Sequence, residues 1–445
     1  MLSNALCRGA DEADIFIALD KSLNLSIEKN QIKSANSREE CGIGIRIIKN
    51  KKIGFAYTTK IRDKKEIKKI VDKAISISRL SEESKNFHLP SYKPSLKAIP
   101  KTFDSKITEM HPKEYLEFLS QVIDAASCVD KDIIVSGGGL NVGENITILA
   151  NSNNVYIADK STFLSIGATV LIKKCNITSG FEIMESRTLE DIDPYTVGKN
   201  AAELAKNMQK PRRAENGRVD AIFMPYAFVS LIEGTFIPAL YADKSFENAT
   251  MFSNKLNKVV IDENLTIYDD PLMEGGLNSS ATDDELVPSK KTMLIEDGIL
   301  KSYLYDQKTA CKYSKESTSN GVRVGSFKSL PSISARNIII DAKDKCSKEE
   351  MIENTKDGIL VYDILGAHTS DPASGNFSVA SSILFKIKNG KIVYPIKKAM
   401  ISGNILDSLN KDVEVCNEYK MLSGSMSAIA AYLPAIKVKD IKIIK

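Results

Sequence analysis

Histidine is nearly absent from this 445-residue chain, which holds only His88, His111 and His368, none close to another. A helical HExxH or HExxxH metal site needs two imidazoles one turn apart, so this sequence cannot form one. A CxxC pair is also missing, and the seven cysteines are scattered and odd in number. That pattern suits a reducing cytoplasm rather than a disulfide framework. No apolar run reaches the roughly 18 residues of a spanning helix. The opening MLSNALCRGADEAD turns acidic before a signal-peptide core could form, so neither membrane insertion nor secretion is expected. Charge imbalance is lacking too: 61 Lys and Arg against 57 Asp and Glu leave a net +4. That describes an ordinary mixed surface, not the basic footprint of a nucleic-acid binder.

What is present has the patterning of an α+β protein in three parts: two smaller N-terminal α/β units, 1–95 and 102–212, and a large C-terminal domain, 218–445, rich in antiparallel sheet. In the first, GIGIRIIKNKKIGFAYT (42–58) alternates on either side of Asn50-Lys51 as a hairpin does. Ile67, Ile70, Val71, Ala74 and Ile75 then fall on one helical stripe. Residues 84–101 carry three prolines and no periodicity, which reads as a linker. The second unit opens on MHPKEYLEFLSQVIDAA, with Pro112 suited to a first helical turn and Glu114 to its free N–H groups. Strand-like runs follow at 133–140, 145–158 and 164–174, then a helix over 195–208. In the third, a helix is expected over 226–240, with hairpins turning on Asp297-Gly298 and Asn389-Gly390, dipeptides that supply positive φ. Phe377, Val379, Ile383, Phe385 and Ile387 share one strand face, leaving Lys386 and Lys388 on the other.

Few residues carry an obvious chemistry. His368 lies in GAHTSDPASGNFS beside Ser370 and Asp371, but no GxSxG elbow accompanies it and a polar loop explains the cluster. Asp269-Asp270 and Asp283-Asp284-Glu285 could hold a hard cation through oxygen, or form solvated turns between strands. EGGLNSSATDD lacks the GxxxxGK[ST] of a phosphate loop. In STSNGVRVGSFKSLPSISARNIII, Asn320-Gly321 bends the chain and Arg323 and Arg336 bring forked donors, either for peptide carbonyls and a terminal carboxylate or for salt bridges.

The segments DDELVPSKKTMLIEDGILKSYLYDQKTA, STSNGVRV, LPSISARNIII and DPASGNFSVASSILFKIKNGKIVYPIKKAMISGNIL together resemble the TldD/PmbA family, once called modulators of DNA gyrase and associated with a cytoplasmic two-subunit metallopeptidase. GADEADIFI, IEKNQIKSANSREECGIGIRIIKNKKIGFAYT and ILANSNNVYIADKS extend the likeness, in order, over nearly the whole chain. The TldD kind holds zinc on a helical HExxxH and a distant cysteine. The matching helix here, FVSLIEGTFIPAL (228–240), has Glu233 but no histidine. Where the cysteine should fall, near MLSGSMSAIAAYLPAIKV, stand Ser423 and Ser425, with Cys416 a few residues earlier. The resemblance therefore implies a PmbA (TldE)-like chain that binds no cofactor of its own. It implies a TldD-like zinc subunit as partner, an extended peptide as substrate, and Glu233, Asn320, Arg323, Arg336 and His368 as candidates for the substrate cleft. Two alternatives stay open: a stand-alone hydrolase with an atypical metal site drawn from Asp269, Asp284 or Cys416, and a noncatalytic homodimeric scaffold for peptides or proteins.

Overall fold

The computed structural model describes residues 1–84, 86–92, 97–174, 176–425 and 427–445. After a short helix α1 (Leu2–Cys7), three strands β1 (Glu12–Glu28), β2 (Gln31–Lys49) and β3 (Lys52–Thr58) form a meander backed by α2 (Lys64–Leu80). The expected hairpin turns at Asn50 and Lys51, both at positive φ. Asp63 caps α2 by accepting the Lys65 and Glu66 N–H groups, which starts the helix where its charged run begins. After α3 (Ser105–Glu109), α4 (Pro112–Val129) begins with a capping box: Glu114 accepts the His111 N–H at 2.7 Å and His111 accepts the Lys113 N–H at 3.2 Å. Strands β4 (Ile133–Asn151), β5 (Tyr156–Lys173) and β6 (Ile177–Ser186) and helix α5 (Pro194–Asn207) complete the second unit. Where the sequence suggested three short runs, two long strands stand.

The two small units share one sheet. Strand β1 pairs with β2 on one side and β4 on the other, giving the order β3-β2-β1-β4-β5-β6. Helices α2, α4 and α5 cover one face, where Leu140, Val142, Ile166 and Ala168 meet Leu119, Val122, Ala201 and Ala202. The opposite parity, including Gly139, Asn141, Ser165 and Gly167, turns toward the third domain. Of the expected linker, residues 85 and 93–96 lie outside the described residues; its described residues hold no helix or strand, yet they pack against the fold. Phe87 and Leu89 are buried, and the Pro90 carbonyl accepts from Asn151 at 2.8 Å.

The large C-terminal domain carries a twelve-stranded sheet. Strand β7 (Gly217–Phe223) lies near its centre, between Ala430–Ile444 and Asp357–Val361. The sheet is mixed: Asp357–Val361 runs parallel to β7, and Asn337–Ala342 parallel to Ala430–Ile444, among otherwise antiparallel pairs. Asp297-Gly298 and Asn389-Gly390 turn at positive φ as their hairpins require. The single strand read through 377–387 is two strands, Asn376–Ser381 and Leu384–Lys388, with different partners. Lys386 is not exposed; it is buried on an ion pair with Asp357. Among the described residues no helix is long and apolar enough to cross a membrane.

Around β1 and β2 the first sheet docks on this domain through buried charges and the Phe327 ring. Asp14 of β1 and Arg46 of β2 break the apolar runs ADIFI and GIGIRII on the face away from α2. Arg46 donates through Nε to Asp14 at 2.7 Å and through Nη1 to Glu285 at 2.6 Å; Arg323 reaches the other Asp14 oxygen at 3.1 Å. All four side chains are buried. Beside them Phe327 packs among Phe16, Ala18, Leu149 and Leu286. Its ring lies over Gly42, where any Cβ would collide with it, which explains the glycine in this apolar strand. The acidic clusters are thus not solvated turns. Asp269, Asp283 and Glu285 are enclosed because donors from distant segments converge on them; Asp283 accepts the Val287 and Gly321 N–H groups at 2.8 and 3.0 Å. Burial, then the negative Glu285, raise the Asp283 carboxyl well above its ordinary value.

Next to this network Asp306 caps the helix Gln307–Lys312, accepting the Thr309 N–H at 2.7 Å. Burial first, and Glu285 second, push its carboxyl from 3.8 up to about 6. A folded value above the unfolded one means that stability falls as pH rises from 3.8 through about 6. The neutral variant Asp306→Asn escapes that loss. Its stability relative to the natural protein is expected to improve across the window, as read by urea unfolding on either side of it.

Candidate functional site

The site is built on helix α6 (Pro225–Gly234), which springs from the end of β7 with Pro225 in its first turn. The helix expected over 226–240 is interrupted at Thr235 (φ −124°, ψ −63°), and a four-residue helix, Phe236–Ala239, continues the chain. The Thr235 hydroxyl bonds back to the Leu231 carbonyl at 2.7 Å, a competition with the helical ladder that accompanies the break. Ala227, Phe228, Val229, Leu231 and Ile232 are all buried in the main core. Glu233 is buried with them, 4 % exposed, and is the helix's one ionisable acid.

A carboxyl group at such a depth needs hydrogen-bond partners. They come from the loop after strand Glu414–Ser423. Ser427 donates to Glu233 Oε1 through its N–H at 2.6 Å and its hydroxyl at 2.7 Å, and Ser425 donates to Oε2 through its N–H at 2.9 Å and its hydroxyl at 3.4 Å. Gly424 is required here, since a Cβ would strike Glu233 Oε1. The strand that leads into the loop is tied to the first sheet: Ser423 donates its N–H to Glu185 of β6 at 2.6 Å, and Lys420 pairs with Glu182. Replacing Glu233 by alanine leaves those loop donors unmatched. A loss of roughly 1–3 kcal/mol is expected, with faster amide exchange at Ser425 and Ser427 in a hydrogen-exchange measurement.

A cleft of about 570 Å³ lies between the two sheets. Gly139, Gly167 and Gly180 form much of one wall; Tyr226, Leu365 and Ile183 supply apolar surface. Leu365 is 54 % exposed. Phe181 packs on Tyr226 with ring centroids 4.7 Å apart, joining β6 to the start of α6. The size is that of a small-ligand or peptide-segment pocket.

The expected cleft residues do not gather there. Asn320 is fully buried, its amide donating to Asp269 at 2.6 Å and to the Ser334 carbonyl at 3.0 Å. Arg323 spends its guanidinium on Asp14 and the Ser329 carbonyl, the latter at 2.6 Å. Arg336 donates to the Thr282 and Asn278 carbonyls, each at 2.9 Å. These three are enclosed framework donors rather than accessible ones. His368 is exposed on the turn Ala367–Thr369, which packs against Gly234 at the end of α6. Of the five, Glu233 and His368 thus lie on touching elements. Glu182 and Tyr226 at the cleft, and the Asp14–Arg46–Glu285 network, carry no motif; the one available signal was a charged residue inside each of the strands ADIFI and GIGIRII.

No group of three or more His, Cys, Asp or Glu side chains converges to hold a metal among the described residues. The rival ligands are dispersed. Asp269 accepts the Arg336 and Asn337 N–H groups at 3.0 and 2.8 Å, and burial raises its carboxyl to about 6; Cys416 is buried with Leu204, Met208 and Phe385. At Glu233 the nearest donors are hydroxyls and amides, which do not suit zinc.

Residues 13–78, 105–209 and 216–445 match, in turn, the models of PmbA/TldA metallopeptidase domain 1, central domain and C-terminal domain. This chain belongs to the TldD/PmbA family. Within that family it is similar to an uncharacterized protein of Methanocaldococcus jannaschii, at 29 % identity over 93 % of this chain and 94 % of the relative. A metalloprotease of the same organism is also 29 % identical, over 93 % and 91 % of the two chains, and metalloprotease PmbA of Escherichia coli O157:H7 is 22 % identical over 96 % and 92 %. The crystal structure of TldE from Thermococcus kodakarensis matches with a TM-score of 0.91 at 26 % identity, covering 100 % of this chain and 99 % of that one. With that match and the imidazole-free helix, the chain is a TldE-like member of the TldD/PmbA family.

Proposed function

We propose that this chain is the non-zinc subunit of a two-subunit metallopeptidase, lending one side of a cleft that holds an extended peptide while an HExxxH-bearing partner supplies the metal. The observation that carries this reading is the closure of Glu233 by Ser425 and Ser427. The helix and loop that the family resemblance pairs as a metal site lie together here. Their groups satisfy one another, and none is an imidazole or thiolate that could fix zinc. Hydrolytic power is therefore assigned to the partner, where a bound zinc would activate water. This chain's share is to present Tyr226, Leu365 and the glycine-lined wall to a peptide whose backbone is bound independently of its side-chain sequence.

The test is reconstitution. The purified chain alone is expected to hydrolyse unfolded peptides little or not at all, and activity is expected on mixing with a TldD-like subunit from the same cell. Tightly bound stoichiometric zinc, together with unaided peptide cleavage lost on chelation, would overturn the assignment.

A further inference from the structure

Cys346 and Cys416 are 70 positions apart in sequence and immediate neighbours in the fold. Cys346 follows strand Asn337–Ala342, and Cys416 lies near the start of strand Glu414–Ser423. They oppose each other in a parallel bridge closed by Cys346 N–H to Val415 O at 3.0 Å and Asn417 N–H to Cys346 O at 2.9 Å. Directly opposed residues project their Cβ atoms to the same side, and adjacent strands lie about 4.8 Å apart. That spacing falls inside the range of about 4.4–6.8 Å that Cα atoms keep across a disulfide. Both side chains face one apolar cluster with Met351, Phe385 and Ala435, and both thiols are free. Burial raises the Cys346 thiol, with Glu414 adding to it. Cys346 is itself partly exposed, and Cys416 borders a cavity of about 500 Å³ together with Lys348 and Lys420.

We propose that Cys346 and Cys416 are an oxidisable dithiol, a modification site that takes a low-molecular-weight disulfide as its co-reactant. Cys346, the more exposed of the two, attacks one sulfur of the reagent RS–SR, forming a mixed disulfide and releasing the first RS⁻. Cys416 then attacks the Cys346 sulfur and releases the second. One protein disulfide forms, the reagent is reduced to two RSH, and the two thiol protons leave on them. The bond would lie at the irregular end of Glu414–Ser423, where its register shifts between Val415 and Tyr419. This strand leads directly into the loop over Glu233, so oxidation pins the segment that shapes the candidate site. The inference stands apart from the proposed partnership and survives if that reading fails.

The experiment equilibrates the full-length protein with mixtures of reduced and oxidised glutathione, then blocks free thiols under denaturing conditions and maps the peptides by mass spectrometry. The natural chain is expected to yield a linked Cys346–Cys416 peptide pair, with the exposed Cys7 and Cys128 recovered as glutathione adducts. Cys346→Ser is expected to abolish that linkage, and amide exchange over 414–423 to slow several-fold in the oxidised natural protein. Recovery of both cysteines free, or only as separate glutathione adducts, at potentials where Cys7 and Cys128 have reacted would overturn the proposal. So would a link from Cys416 to any other cysteine.

Discussion

Arg46→Met is expected to cost about 3–5 kcal/mol of folding stability, the range seen when one member of a buried ion pair is removed. Methionine roughly keeps the length of the side chain and deletes every donor. Arg46 lies 2 % exposed between Asp14 and Glu285, and burial opposes its charge less than the two carboxylates favour it. Without it Glu285 keeps the Gln307 N–H at 2.7 Å, and Asp14 keeps Arg323. Neither compensates for a buried negative charge that has lost its fork of donors. Equilibrium unfolding in urea reads the loss. The double variant Arg46→Met, Glu285→Gln should recover part of it, because one stranded carboxylate is then neutral. A double variant no more stable than the single one would place the cost in packing instead.

Phe327→Ala is expected to cost about 3–5 kcal/mol, the usual toll of emptying an aromatic site in a core. The ring joins β1, β2 and Leu286 across the junction between the first sheet and the C-terminal domain. Gly42→Val attacks the same contact from the other side, since the new side chain would occupy the ring's own space. The two changes should not add: valine at 42 is expected to cost far less once Phe327 is alanine. Denaturant midpoints of the two single variants and the double one measure that coupling.

Local rules of turns and caps were readable from the residues themselves. Asn50-Lys51, Asp297-Gly298 and Asn389-Gly390 turn where their composition demands, and the α4 cap uses His111 and Glu114. The family resemblance, rather than spacing, brought Glu233 and the serine loop into one place. Long-range facts were opaque. Nothing in DDEL distinguishes a wet turn from a carboxylate cluster fed by backbone N–H groups nearly forty residues away, as Asp283 is by Gly321. Arg323 and Arg336 read equally as donors to a bound peptide and as salt-bridge partners; their partners on Asp14, Ser329, Thr282 and Asn278 become visible only when the domains meet. Lys386 misled for the same reason, since its pairing with Asp357 runs across strands.

Strand β1 has one hydrogen-bonded flank supplied from its own unit and the other from β4, in register from Asp14 opposite Asn151 to Ser26 opposite Gly139. Modular bookkeeping of the chain therefore misstates its mechanics. Excised at the boundary between them, each of the first two pieces would bare a long rim of unsatisfied amides and carbonyls, a template for adhesion to any extended chain nearby. Each piece supplies the strand that covers the other's open edge.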